Sequence, residues 1–160
     1  MRTPLVVGNW KMHGGIAEAR ALGVRVRLPV DLVVAPGPDS VAGIRVASVR
    51  EMPRDLMGLD IGPVTVAQFA ATLASARTIV WNGPLGVFEK APFSAGTLGT
   101  ARAVASSAAF SVIGGGDTIA AVHQAGVAER IGYISTAGGA FLEFLEGRTL
   151  PGVAALDEAA

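Results

Sequence analysis

Cysteine is absent from the 160-residue chain, which removes disulfides, thiolate metal sites and a cysteine nucleophile together. Net charge is absent as well. Thirteen basic residues cancel thirteen acidic ones, so no excess charge advertises binding to nucleic acid or to an anionic membrane. Charged residues are only 16% against 51% hydrophobic, which excludes a disordered chain. The longest stretch without Asp, Glu, Lys or Arg, Ile61 to Ala76, contains Pro63 and is shorter than the ~20 residues a membrane helix needs. Met1 to Gly14 lacks the apolar core of a secretion signal. The expectation is one soluble, cytoplasmic domain.

The common catalytic signatures are missing too. There is no G-x-x-x-x-G-K-[ST], no H-E-x-x-H and no G-x-S-x-G, which removes P-loop, zinc-protease and serine-hydrolase chemistry. His13 and His123 are the only histidines, and His123, alone on a helical stretch, reads as a surface or packing residue rather than a ligand.

What is present is glycine and short apolar runs, with 21 glycines and 9 prolines. The runs predict strands at Pro4–Val7, Val24–Leu28, Asp31–Ala35, Ile44–Val49, Met57–Asp60, Thr78–Trp81, Phe110–Ile113 and Tyr133–Ser135. Most are continuous rather than alternating, as in strands covered on both faces. Between them, Val66, Phe69, Ala70 and Leu73 repeat at helical spacing behind a Thr65/Gln68 capping-box pattern. Further helices are expected at Ile16–Leu22, at Ala95–Ala109, from Asp117 to a stop at Gly126, and at Gly139–Glu146 with a stop at Gly147. The implied fold is α/β, an open, mostly parallel Rossmann-like sheet with helices on both faces.

One pattern occurs three times: apolar strand, glycine-rich turn, helix. It stands at Ile79-Val80-Trp81-Asn82-Gly83-Pro84, at Val112-Ile113-Gly114-Gly115-Gly116-Asp117 and at Ile134-Ser135-Thr136-Ala137-Gly138-Gly139. In an open α/β sheet such turns lie together at the carboxyl ends of the strands, where ligands bind. Glycine lets backbone approach a phosphate, and the following helix offers free N–H groups and its positive dipole end. The pattern favours a phosphorylated ligand, with a nucleotide as the expected chemical class.

Longer blocks carry a family resemblance. Asn82-Gly83-Pro84-Leu85-Gly86-Val87-Phe88-Glu89, Gly114-Gly115-Gly116-Asp117-Thr118, Ser135-Thr136-Ala137-Gly138-Gly139-Ala140 and Leu142-Glu143-Phe144-Leu145-Glu146-Gly147 resemble signatures of phosphoglycerate kinase. Gly58-Leu59-Asp60-Ile61-Gly62-Pro63 and Leu150-Pro151-Gly152-Val153 extend the resemblance to about residues 16–160. Residues 1–14 differ. Pro4-Leu5-Val6-Val7-Gly8-Asn9-Trp10-Lys11-Met12 looks like the first strand and catalytic turn of triosephosphate isomerase, with Asn9 and Lys11 at that family's substrate-binding and catalytic positions. A (β/α)₈ barrel of about 250 residues cannot be built from this chain, which argues against isomerase activity. The expected organisation is an isomerase-like strand at 1–14, followed at 15–160 by part of the kinase's carboxyl-terminal nucleotide-binding domain, incomplete relative to the family.

The resemblance implies ADP/ATP with Mg²⁺ as ligands, and phosphoryl transfer between 1,3-bisphosphoglycerate and ADP giving ATP and 3-phosphoglycerate as the family's reaction. It implies Glu89 on the ribose hydroxyls, Leu59, Pro84 and Val87 along the adenine, and Asn82 near the phosphates. Gly115 and Gly116 would shape the second turn, with Thr118 on a phosphate and Asp117 on Mg²⁺ through the phosphates. Gly138 and Gly139 would present catalytic backbone N–H groups to the phosphoryl in flight. Ala137 replaces the family's usual glycine, and a positive φ there would cost about 1 kcal/mol or more. The triose-binding domain has no counterpart, so the chain is expected to be inactive alone and to need the missing kinase portion in trans. The alternatives are a non-catalytic ADP/ATP-binding module and a non-functional chimeric fragment. The tail after Leu150 is expected to be loose.

Overall fold

The computed structural model describes residues 5–8 and 26–157. Its centre is a four-stranded parallel sheet in the order β1 (Leu5–Gly8), β5 (Thr78–Asn82), β6 (Phe110–Gly114), β7 (Tyr133–Ser135). The register is continuous from Leu5 opposite Ile79 to Gly8 opposite Asn82, and from Thr78 opposite Phe110 to Asn82 opposite Gly114. The remaining strands, β2 (Asp31–Ala35), β3 (Arg45–Ser48) and β4 (Met57–Ile61), form a separate antiparallel sheet in the order β3-β2-β4. The strands were expected in one mostly parallel sheet. A short connection explains the β2–β3 part of the split, because a parallel pairing needs a crossover of a dozen or more residues and only residues 36–44 join β2 to β3.

Helices α1 (Pro63–Ala74), α2 (Ala95–Ser106) and α3 (Gly116–Gln124) flank the parallel sheet. Ile79 and Trp81 of β5 and Ile113 of β6 meet Leu73 of α1, Ala101, Val104 and Ala105 of α2 and Val122 of α3 in one buried cluster. Trp81 is wholly buried and its indole N–H donates to the Gly83 carbonyl at 2.8 Å. The core therefore reaches up to the first glycine turn. Gly99, a poor helix former within α2, is explained by contact, since a Cβ there would stand 2.9 Å from Val66 of α1.

The start of α1 departs from the capping-box expectation. Gly62 is the N-cap, Pro63 opens the helix and no side chain of the helix caps it. The cap comes from across the fold. Asp31 of β2 accepts the N–H groups of Val64 (3.0 Å) and Thr65 (2.7 Å) and the Thr65 hydroxyl (2.5 Å). Burial pushes the Asp31 carboxyl up, but these hydrogen bonds outweigh it and leave the group below its ordinary value.

Other boundaries fall close to their signals. Helix α3 ends at Gln124 with Gly126 at φ +69°, and α4 (Gly138–Leu145) ends before Gly147 at φ +78°. Residues 151–157, expected to be loose, form a short helix, α5 (Pro151–Asp157). Val26 and Leu28, expected in a strand over Val24–Leu28, lie outside any strand and are exposed. The expected helix Ile16–Leu22 and the isomerase-like Asn9 and Lys11 lie outside the described residues. Among the described residues no helix is long and apolar enough to cross a membrane.

Candidate functional site

Strands β5, β6 and β7 are parallel, so their glycine turns emerge at the same edge of the sheet. The turns touch one another. The Asn82 amide, ending β5, lies against Gly115, where a Cβ would stand 3.2 Å from Nδ2. Gly115 in turn meets the third turn, since a Cβ on Gly138 would stand 3.2 Å from the Gly115 Cα. Gly115 also has φ +89°, a conformation that L side chains rarely adopt. One glycine backbone thus joins three elements that are far apart in the chain.

Two helices begin at this junction, α3 after Gly115 and α4 after Ala137. The first backbone bond of α3 runs from Ile119 N–H to Gly115 O at 3.0 Å, so the N–H groups before Ile119 are not used by the helix ladder. Their positive dipole end favours an anion. Asp117 stands exposed in the first turn of α3 next to the exposed Gly116, and Gly139, in the first turn of α4, is exposed too. Ala137 has φ −93°, so the strain expected from a positive φ at this position does not arise.

Thr118 is placed differently from its neighbours. It is 0% exposed, and its hydroxyl accepts the Gly83 N–H at 2.7 Å. In this conformation it ties the start of α3 to the first turn, and the phosphate contact expected of its hydroxyl is not offered at the surface. Gly83, at φ +92°, is thereby held by Thr118 at its N–H and by Trp81 at its carbonyl.

The first turn continues along the antiparallel sheet. Val87 N–H donates to Leu59 O at 2.8 Å, which puts two of the expected adenine-lining residues side by side. Leu59, 6% exposed, belongs to an apolar cluster with Ala35 and Phe93, against which Val33, Ile44 and Val87 pack. Leu59 is therefore mostly core, while Val87 and Pro84 stay partly exposed. Glu89 is exposed at the end of the turn, and next to it Lys90 pairs with Asp39 at 2.8 Å. The Asp39 carboxylate holds the Lys90 ammonium above its ordinary pKa. A shallow depression of about 320 Å³ lined by Pro36, Gly43, Ile44, Arg45, Asp55 and Leu56 contains none of the expected site residues. His123 is exposed.

Residues outside the sequence expectation also shape the site. Thr97 of α2 accepts the N–H groups of Leu85 (3.1 Å) and Gly86 (3.2 Å), and Asp60 of β4 lies directly against Gly86. The available signal for Asp60 was a carboxylate inside the apolar strand Leu59-Asp60-Ile61. Thr97 had none, because a threonine in the first turn of a helix is commonplace.

The phosphoglycerate kinase family model matches residues 11–148. The chain belongs to the phosphoglycerate kinase family. It is 57% identical over 142 residues to a phosphoglycerate kinase of Desulfosudis oleivorans, covering 89% of this chain and 36% of that protein. A phosphoglycerate kinase of Pelotomaculum thermopropionicum is 55% identical over 141 residues, with coverages of 88% and 36%. Among solved structures, phosphoglycerate kinase from Coxiella burnetii superposes with a TM-score of 0.81 at 45% identity, over 90% of this chain and 37% of that one. The enzyme from Pyrococcus horikoshii gives 0.71 at 39% identity, over 82% and 32%. The chain thus spans just over a third of the length of its curated phosphoglycerate kinase relatives. Residues 1–10 precede the family match, which begins at Lys11, inside the segment read as isomerase-like.

Proposed function

We propose that the chain binds ADP or ATP with Mg²⁺ where its three glycine turns meet, as the nucleotide-holding portion of a cytoplasmic phosphoglycerate kinase, and that alone it transfers no phosphoryl group. The observation that carries this reading is the contact of Asn82 and Gly138 with the backbone of Gly115. It makes one anion-receiving surface from the starts of α3 and α4. Val87 and Pro84, with Leu59 behind them, give the adenine an apolar support, and Glu89 is free to bond ribose hydroxyls. Asn82 meets the phosphates, Gly115 and Gly116 admit them, and the N–H groups of Gly138 and Gly139 receive the γ-phosphoryl.

The donor set suits Mg²⁺ rather than a metal caged by protein. Among the described residues no group of three His, Cys, Asp or Glu is placed to hold a metal, and Mg²⁺ is commonly bound by one or two carboxylates together with substrate phosphates. Asp117 is the exposed carboxylate at the phosphate end. With the nucleotide, Mg²⁺ supplies neutralisation of the phosphate charge. The chain's own part is to orient the nucleotide and present backbone dipoles to the transferring group, which is most of what phosphoryl transfer asks of a protein.

Transfer also needs the acceptor held in line. Orientation of two reactants can supply about 7–11 kcal/mol of barrier lowering, and the relatives carry almost two thirds of their length outside this match. Residues 1–14 we read as an isomerase-like start, of which Leu5–Gly8 serve here as the edge strand β1.

Calorimetric titration with ADP, with and without Mg²⁺, and an assay of ATP formation from 1,3-bisphosphoglycerate test both halves. The expected result is saturable heat that strengthens with Mg²⁺, and no turnover. Absence of saturable heat overturns the binding half and favours a non-functional chimeric fragment. Turnover by the chain alone overturns the other half.

A further inference from the structure

Asp60 is 2% exposed, on β4 between two core residues, Leu59 and Ile61. Its Oδ2 accepts the Gly96 N–H at 2.6 Å and its Oδ1 accepts the Ile61 N–H at 2.9 Å. Two glycines close on it. A Cβ on Gly86 would lie 2.2 Å from Oδ1 and 2.8 Å from the Asp60 Cα, and a Cβ on Gly96 would lie 2.3 Å from Oδ1. The carboxylate is a wedge between the start of α2 and the first glycine turn. Either side of that wedge the turn is pinned, by Val87 N–H on Leu59 O and by Leu85 and Gly86 N–H on Thr97 Oγ1.

An ionisable group buried without a countercharge is a costly way to fill space. Burial pushes the Asp60 carboxyl up to about 6, with the Gly96 and Ile61 N–H groups pulling the other way and no charged side chain contributing. Glu89 and Lys90 on the turn are exposed, and Asp31 on β2 is occupied at the start of α1. We infer that Asp60 is a positioning residue: by filling the space between Gly86 and Gly96 it sets where residues 83–90 sit, and through them the affinity for a nucleoside diphosphate. The affinity clause rests on the nucleotide reading above, whereas the seating of the turn does not.

The plain alternative is a cap for α2 with only a stabilising effect. Asp31, which caps α1 away from the turn, is the control. Amide hydrogen exchange and the Kd for ADP with Mg²⁺ are measured on the full chain and on Asp60→Asn, Gly86→Ala and Asp31→Asn. The expected result is exchange at Leu85, Gly86 and Val87 at least tenfold faster in Asp60→Asn and Gly86→Ala, with β6 amides unchanged and Kd raised at least fivefold. Asp31→Asn is expected to lower the unfolding temperature while leaving the turn's exchange and Kd as they were. Gly86→Ala keeps the Asp60 carboxylate but puts a Cβ 2.2 Å from its Oδ1, so it tests the seat even where Asp60→Asn does not fold. Unchanged exchange at 85–87 in the folded variants, or an equal effect of Asp31→Asn, overturns the inference. Should the parent chain bind no ADP, the nucleotide reading falls and the exchange result still decides whether Asp60 seats the turn.

Discussion

Gly115→Val is expected to weaken binding of ADP with Mg²⁺ at least tenfold while the chain still folds. Gly115 sits at φ +89°, ψ 132°, a region essentially reserved for glycine, where another residue costs about 1–3 kcal/mol. The first side-chain carbon alone would press on the Asn82 amide at 3.2 Å, and the two methyl groups of valine make that contact worse. Relief moves Asn82, the backbone of Gly115 or Gly138, and any of these opens the junction that forms the site. Gly126→Ala is the matched control. Gly126 also has positive φ, +69°, but a Cβ there meets nothing within 4 Å. It should lower stability by a comparable strain and leave Kd unchanged. Calorimetric Kd values for the two variants, taken at a temperature where both are folded, separate a local effect from general destabilisation. Equal affinities would place the nucleotide elsewhere.

Removal of residues 1–8 is expected to lower the unfolding midpoint by roughly 10 °C and to promote association of the chain. These residues contribute β1, which pairs in parallel with β5 from Leu5–Ile79 to Gly8–Asn82. At about 1 kcal/mol net per ladder hydrogen bond, a four-residue strand contributes roughly 3 kcal/mol, or about 6–12 °C for a chain of this size. Its loss turns β5, which carries the buried Ile79 and Trp81, into an open edge that can pair with another molecule. Deletion of residues 1–4 alone spares the strand and should change little. Thermal unfolding and light scattering on the two deletions distinguish these outcomes. An unchanged midpoint for the longer deletion would mean that β1 adds nothing to the sheet.

Local pattern was enough for most of the strands. Asp31–Ala35 and Tyr133–Ser135 appear with the expected bounds, and the three strand-turn-helix repeats stand where their apolar runs and glycines put them. Which strand pairs with which was less legible. An apolar run such as Asp31–Ala35 reads alike in a parallel and an antiparallel sheet, and only the short connection to β3 tells them apart. Thr65 was misread for a similar reason. The Thr65/Gln68 spacing is that of a capping box, but the cap is Asp31, more than thirty residues earlier, and no window of sequence contains both partners. The site divides along the same line. The turns were visible as motifs, while their contact at Gly115 and the occupation of the Thr118 hydroxyl by Gly83 are facts of packing.

The most direct test of the central claim, that a nucleotide site survives in a chain spanning just over a third of its relatives, is thermal unfolding with and without millimolar ADP and Mg²⁺. Ligand that binds only the native state at 100 times its Kd adds about 2.7 kcal/mol, which for a chain of this size raises the midpoint by roughly 5–10 °C. The expected result is a single cooperative transition that rises by several degrees with ADP and Mg²⁺. A transition that ignores the nucleotide would contradict it and leave the kinase resemblance as a statement of ancestry.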